Sequence, residues 1–107
     1  MAKTSQISGL YRVGIAQRRK LLSDALGIDH DELTRALDAG GLDPETADKF
    51  VENVVGTYGL PYAVVLNVQV NGKDRIVPMV VEEPSVVAAA SNAAKMIRAG
   101  GGFVARC

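Results

Sequence analysis

The spacing of apolar residues changes character along this chain, from helical in the first half to alternating and back to helical. Over 15–26, Ile15, Leu22 and Leu26 recur at intervals of seven and four, with Leu21 and Ala25 widening the stripe. That period predicts a helix, and Gly27 is placed to end it. Over 29–39, Leu33, Ala36 and Leu37 form a second stripe. Asp29 is its expected N-cap, with Glu32 three residues on as in a capping box, and Gly40-Gly41 stops it. Asp43-Pro44 opens a third helix with cap and first-turn chemistry. Its stripe, Phe50, Val51, Val54 and Val55, extends it to about 55, where Gly56 closes it. Residues 1–14, punctuated by Gly9 and Gly14, read as an extended arm.

After the turn at 57–61 the period drops to two. Tyr62, Val64, Leu66, Val68 and Val70 fall on one face of a strand, and Ala63, Val65, Asn67 and Gln69 on the other. Asn71-Gly72 predicts a two-residue hairpin turn, because a type I′ turn needs two residues at positive φ. The return strand runs over 73–81. Such a turn pairs Val70 with Lys73, Val68 with Arg75, Asn67 with Ile76, Leu66 with Val77, Val64 with Met79 and Ala63 with Val80. Pro78 has no amide hydrogen and requires an edge or a bulge. Pro84 fits the first position of a last helix, 85–99, made slim by Ala88, Ala89, Ala90, Ala93 and Ala94 and stopped by Gly100-Gly101-Gly102. Helices around one hairpin make an α+β fold. A lone hairpin is marginal in water, so its two apolar faces need cover.

Composition narrows the function classes. The chain has 107 residues, 48% hydrophobic and 22% charged, a globular balance. Twelve basic residues match twelve acidic ones, so no global charge favours nucleic acid. No apolar run reaches the length of a membrane span, and the start of the chain lacks the apolar core of a signal peptide. The one cysteine, Cys107, is the last residue. Together these lead to the expectation of a cytoplasmic protein. His30 has no second His or Cys at ligand spacing and reads as a surface residue, with no metal expected. Arg18, Arg19 and Lys20 fall mostly off the apolar stripe and read as a solvated face. The three glycines at 100–102 lack the preceding strand and following helix of a phosphate loop.

The chemistry-bearing stretch is Glu82-Glu83-Pro84-Ser85. It places two carboxylates where the return strand ends and the last helix begins. If the strand's alternation persists through them, the two side chains point to opposite sides, so one enters a site and the other does not. Without further information, a carboxylate at a helix mouth is also the ordinary capping arrangement.

Three ordered motifs carry a resemblance. Glu52-Asn53-Val54-Val55-Gly56, then Asn71-Gly72-Lys73-Asp74, then Val77 through Ala90 with Glu82-Glu83-Pro84-Ser85 at its centre closely resemble the N-terminal part of class II 3-hydroxy-3-methylglutaryl-coenzyme A (HMG-CoA) reductases. Val55 stands where that family usually has isoleucine. The resemblance runs from about Leu10 to Phe103 and implies the first segment of the large, substrate-binding domain. It implies that 15–57 is a dimerisation segment and 58–107 a hairpin and helix at the substrate site. The implied reaction interconverts HMG-CoA with mevalonate and coenzyme A, by two hydride transfers from NADPH or NADH. Glu83 is then the catalytic glutamate, Glu52 to Gly56 lie at a homodimer interface, and Arg12 is a candidate contact to coenzyme A. The family's catalytic lysine, aspartate and histidine and its nucleotide-binding domain are expected beyond Cys107. The alternative reading is a non-catalytic dimerisation or substrate-contact module.

Overall fold

The computed structural model describes residues 4–107, so the first three residues of the expected arm lie outside it. Helix α1 spans Ile15–Leu26, α2 His30–Asp38 and α3 Pro44–Asp48; strands β1, Tyr62–Val70, and β2, Lys73–Val80, follow, and α4 spans Val86–Ala99. The fold is α+β, with a two-stranded antiparallel sheet. It is drawn out rather than round, measuring 49 × 31 × 29 Å with a radius of gyration of 16.4 Å. A compact domain of this length would have a radius of about 13 Å.

Local chemistry sets the helix boundaries. Gly27, at φ 69°, ends α1. The Gly27 amide donates to the Asp24 carbonyl and the Ile28 amide to the Ser23 carbonyl, which together make a Schellman motif. Asp29 caps α2 by accepting from the Glu32 amide. Arg18 and Arg19 are not simply solvated. Arg18 Nε donates to the Leu10 carbonyl, and Arg19 pairs with Asp38 at 2.9 Å, tying α1 to α2. Only Lys20 stays local, pairing with Asp24 one turn on. The arm is not fully extended: Leu10–Arg12 form a 3₁₀ turn entered through Gly9 at φ 69°. His30 is half-buried rather than a surface residue.

Helix α3 is much shorter than expected. It opens on Asp43, whose carboxylate accepts from the Thr46 amide, but ends at Asp48 rather than near 55. Beyond it come β-branched Val51, Val54 and Val55, with Asn53 in the left-handed region at φ 61°. None is a strong helix former, and Phe50, Val51 and Val55 remain exposed. The stripe at helical spacing is real, but among the described residues no other helix or strand packs on it.

The hairpin register departs from the sequence expectation at one residue. Val70↔Lys73, Gln69↔Asp74 and Val68↔Arg75 pair as the turn dictates. Then the register shifts, giving Val65↔Val77, Val64↔Pro78, Ala63↔Met79 and Tyr62↔Val80. Leu66 and Asn67 together face Ile76, a β-bulge with Asn67 at φ 66°. The extra residue inverts the alternation. Val65 and Val68, three apart and not two, are therefore both buried, against Ala94 of α4. The expected pairs Leu66–Val77, Val64–Met79 and Ala63–Val80, and the expected Val64–Leu66–Val68 face, are corrected accordingly, while Asn67 stays opposite Ile76 but shares it with Leu66.

The backbone groups that β1 does not give to β2 are used elsewhere. The Asn67 amide donates to the Ser5 carbonyl, and the Phe103 amide to the Gln69 carbonyl. Ser5 Oγ donates to the Val68 carbonyl. A Schellman turn ends α4, with the Gly102 amide on the Ile97 carbonyl and the Gly101 amide on that of Arg98. Gly102 must be glycine: at φ 84° a Cβ there would stand 2.8 Å from the Gln69 carbonyl oxygen. That close approach lets Phe103 bridge to Val70 in parallel. One carboxylate ties these pieces together. Asp74 accepts both Arg98 guanidinium nitrogens, at 2.9 and 3.1 Å, and the Ser5 amide at 3.0 Å. These donors, Arg98 foremost, lower its pKa to about 2.

Candidate functional site

Strand β2 stops at Val80, and the Val81 amide donates to the Pro61 carbonyl at 3.3 Å, closing the open end of the hairpin. The chain then bends through Glu82 and Glu83. Since the strand has ended, its alternation does not sort the two carboxylates. Both line one open cleft of about 280 Å³, together with Pro61, Val81, Ser85 and Val87.

The start of α4 differs from the expectation. Pro84 precedes the cap instead of occupying the first helical position, and Ser85 is the N-cap, at φ 76°. A non-glycine residue in that region is strained, at a cost of about 1–3 kcal/mol. Ser85 makes no side-chain cap hydrogen bond. Only its carbonyl is engaged, accepting from the Ala89 amide at 2.8 Å. The capping reading of Glu83 fails as well: no side chain caps α4. Glu83 and Glu82 are exposed to solvent at the cleft. The arrangement is thus a carboxylate pair beside an uncapped helix N-terminus, over apolar walls. It can offer a proton donor or acceptor to a bound carbonyl compound.

The other candidate residues lie apart from this corner. Arg12 donates from Nε to Tyr11 Oη at 2.9 Å and stacks 5.3 Å from that ring's centroid. No hydrogen bond or ion pair among the described residues joins it to the corner. Glu52, Asn53, Val55 and Gly56 are exposed and Val54 is half-buried, in an irregular stretch. That stretch borders a second groove of about 490 Å³ lined in part by Leu42, Ala47, Val51, Val54, Tyr58 and Leu60. Among the described residues, no cluster of three or more His, Cys, Asp or Glu side chains could hold a metal ion. The glycines at 100–102 end a helix and approach a strand, so they do not fit a dinucleotide phosphate.

Sequence reasoning missed Asp74 and the Asn67–Ser91 contact, which fix α4 to the sheet. Leu66 donates its amide to Ser91 Oγ at 3.0 Å, and Asn67 Nδ2 donates to the Ser91 carbonyl at 3.1 Å. Asp74 stands in one of the motifs, Asn71-Gly72-Lys73-Asp74, but nothing in the local pattern names Arg98 as its partner.

Residues 14–107 match the family model described as hydroxymethylglutaryl-coenzyme A reductase. The chain belongs to that family. It is 45% identical over 102 residues to the 3-hydroxy-3-methylglutaryl-coenzyme A reductase of Archaeoglobus fulgidus, covering 95% of this chain and 23% of that relative. It is also similar to solved structures from Streptococcus pneumoniae. A reductase from that organism superposes with a TM-score of 0.80 at 40% identity, over 91% of this chain and 23% of its own. A class II reductase bound to NADPH in open conformations gives 0.81 at 40% identity, over 92% and 27%. The chain therefore spans about a quarter of the length of these reductases. The expected resemblance and the α+β segment both hold. No helix among the described residues is long and apolar enough to cross a membrane.

Proposed function

We propose that this chain supplies the glutamate corner of an HMG-CoA reductase site, with Glu83 as its catalytic carboxylate. The observation that carries the reading is the position of Glu83, exposed in an apolar cleft at an uncapped helix mouth and not engaged in capping. Reduction of a thioester leaves charge on the carbonyl oxygen, and Glu83 can hold or deliver a proton at that atom. The Ser85 hydroxyl, free of a capping role, adds a polar group to the same wall. Among the described residues, no lysine or histidine lines the cleft. In this reading the family's lysine, aspartate and histidine come from reductase sequence outside these 107 residues, as does the binding of NADPH or NADH. The 107-residue chain alone is then expected not to oxidise NADPH.

Arg12, exposed and held by Tyr11, is assigned to the phosphates of coenzyme A. Glu52 to Gly56 are assigned to a homodimer interface, an assignment supported by the uncovered apolar side chains around them. The substrates are HMG-CoA, or mevalonate and coenzyme A in the reverse direction, and the setting is the cytoplasm.

The test compares Glu83→Gln with Glu82→Gln in a full-length reductase carrying this segment. Loss of a positioned acid–base group lowers turnover on the order of a hundredfold or more, so kcat should fall by that much for Glu83→Gln and little for Glu82→Gln. Equal losses would overturn the assignment.

A further inference from the structure

We propose that Ser91 and Asn67 are positioning residues for Glu83, acting by fixing how far along β1 the mouth of α4 stands. The inference rests on the role of Glu83 given above. The corner has two anchors. On the strand side, Val81 is bonded to Pro61 at 3.3 Å. On the helix side, the first polar tie from α4 to the sheet is Ser91, about one and a half turns into the helix, which accepts the Leu66 amide on its hydroxyl and the Asn67 side-chain amide on its carbonyl. Everything between these anchors, from Glu82 to Ala90, is either bent chain or slim helix with Ala88, Ala89 and Ala90. Ala94 in the core and the Arg98–Asp74 pair hold the far half of α4, which leaves Ser91 as the hydrogen-bonded tie nearest the mouth.

The bulge makes the second anchor. A regular strand would place an ordinary pleated residue at 67. Asn67 instead takes φ 66°, which turns the chain so that its side chain and the preceding amide both reach Ser91. Asparagine tolerates that conformation better than most residues. The amide of Asn67 is bonded in turn to Ser5 at 2.8 Å, which holds the bulge from the far side. Sliding α4 by one residue would move its mouth by about 1.5 Å. A misplacement of about 1 Å in a reacting group costs on the order of a hundredfold in rate. A tether two turns from the carboxylate therefore bears on turnover without touching substrate.

Ser91→Ala, Ser91→Thr and Asn67→Gly in a full-length reductase carrying this segment test the proposal. Asn67→Gly keeps the positive φ at no steric cost but deletes the amide group. The expected result for folded Ser91→Ala is a fall in kcat of at least about tenfold with KM for HMG-CoA unchanged, the pattern of a loss felt in the transition state. Ser91→Thr, which keeps the hydroxyl, restores turnover, and Asn67→Gly lowers it. A purely stabilising role predicts a lower melting temperature with unchanged kcat, and that outcome overturns the proposal, as does failure of threonine to rescue. If Ser91→Ala does not fold, Asn67→Gly decides by the same criteria. Amide hydrogen exchange separates this idea from the role of Glu83. Should the parent enzyme show no reductase activity, the catalytic assignment falls, and faster exchange in the variants of the Ala89 amide, which is bonded to the Ser85 carbonyl at the helix mouth, still upholds the tether. Unchanged exchange there overturns it.

Discussion

Strand β1 and the stretch 49–61 are both rich in large apolar side chains, and they meet opposite fates. Val65 and Val68 keep 7% and 8% of their surface exposed, while Val55 and Tyr58 keep 104% and 89%. Hydrophobicity does not separate the two regions; backbone partners do. The groups of β1 are taken up by β2, Ser5, Ser91 and Phe103, and the side chains are carried inward with them. In 49–61 the helix stops early, and no strand or second helix of this chain takes its place. An apolar surface of that kind is what the homodimer interface proposed at Glu52 to Gly56 would need. One region of the chain is finished by itself, and the other presents a face.

That contrast can be broken most forcefully at Arg98. Its side chain and that of Asp74 are 19% and 14% exposed. Removing Arg98 takes three charge-assisted hydrogen bonds from this part-buried cluster, at a cost of about 3 kcal/mol. Arg98→Ala should therefore destabilise the 107-residue chain by about that much in urea denaturation, and a loss near zero would show that the cluster does not hold α4 to the hairpin. Gly102→Ala comes next. Its φ of 84° and the 2.8 Å approach to the Gln69 carbonyl lead to an expected loss of about 2 kcal/mol. Phe103 should also leave the strand, read as faster exchange of the Phe103 amide.

Acid acts on the same cluster more gently. The carboxyl of Asp74 titrates in the fold at about 2, below its ordinary 3.8. A depressed carboxylate contributes stability that is fully present above the unfolded value and is lost as pH falls through the folded one. Stability should drop between about pH 4 and pH 2, and Asp74→Asn should flatten that part of the profile. The smallest effect belongs to the open face. Val55→Ser should change the stability of the chain by less than about 0.5 kcal/mol, as exposed sites do. In the assembled reductase the same change should weaken association measured by sedimentation at low concentration. A large loss of stability in the isolated chain would mean that 49–61 is not an open face at all.

Much of this architecture could be read from local pattern, because caps and turns depend on neighbours. Asp29, Asp43, Gly27 and Asn71-Gly72 all do locally what their types imply. Both strands and three of the four helices fall within a residue or so of the expected bounds. The misses are tertiary. The stripe of Phe50, Val51, Val54 and Val55 has helical spacing, but helices in proteins persist mainly through packing, and among the described residues no other helix or strand covers the stripe. The bulge at Asn67 leaves no signal in a run of alternating residues, since one extra residue is invisible until the partner strand is seen. That Glu82 and Glu83 stand between a strand and a helix was legible in the pattern, and the cleft with both carboxylates along it was not. The strand's end at Val80 removed the alternation that would have sorted them.

The buried hydroxyl of Ser5 gives this chain an unusual order of events. It bonds to the Val68 carbonyl and accepts from Arg98, a residue 93 positions later. During synthesis Ser5 emerges before either partner exists. It must stay unclaimed until the hairpin has closed and nearly all of α4 has been made. Contacts that span most of a chain close late and slow the search for the native state. Ser5 is therefore among the last parts of this chain to find its place, and the arrival of a helix residue made 93 positions later is what secures it.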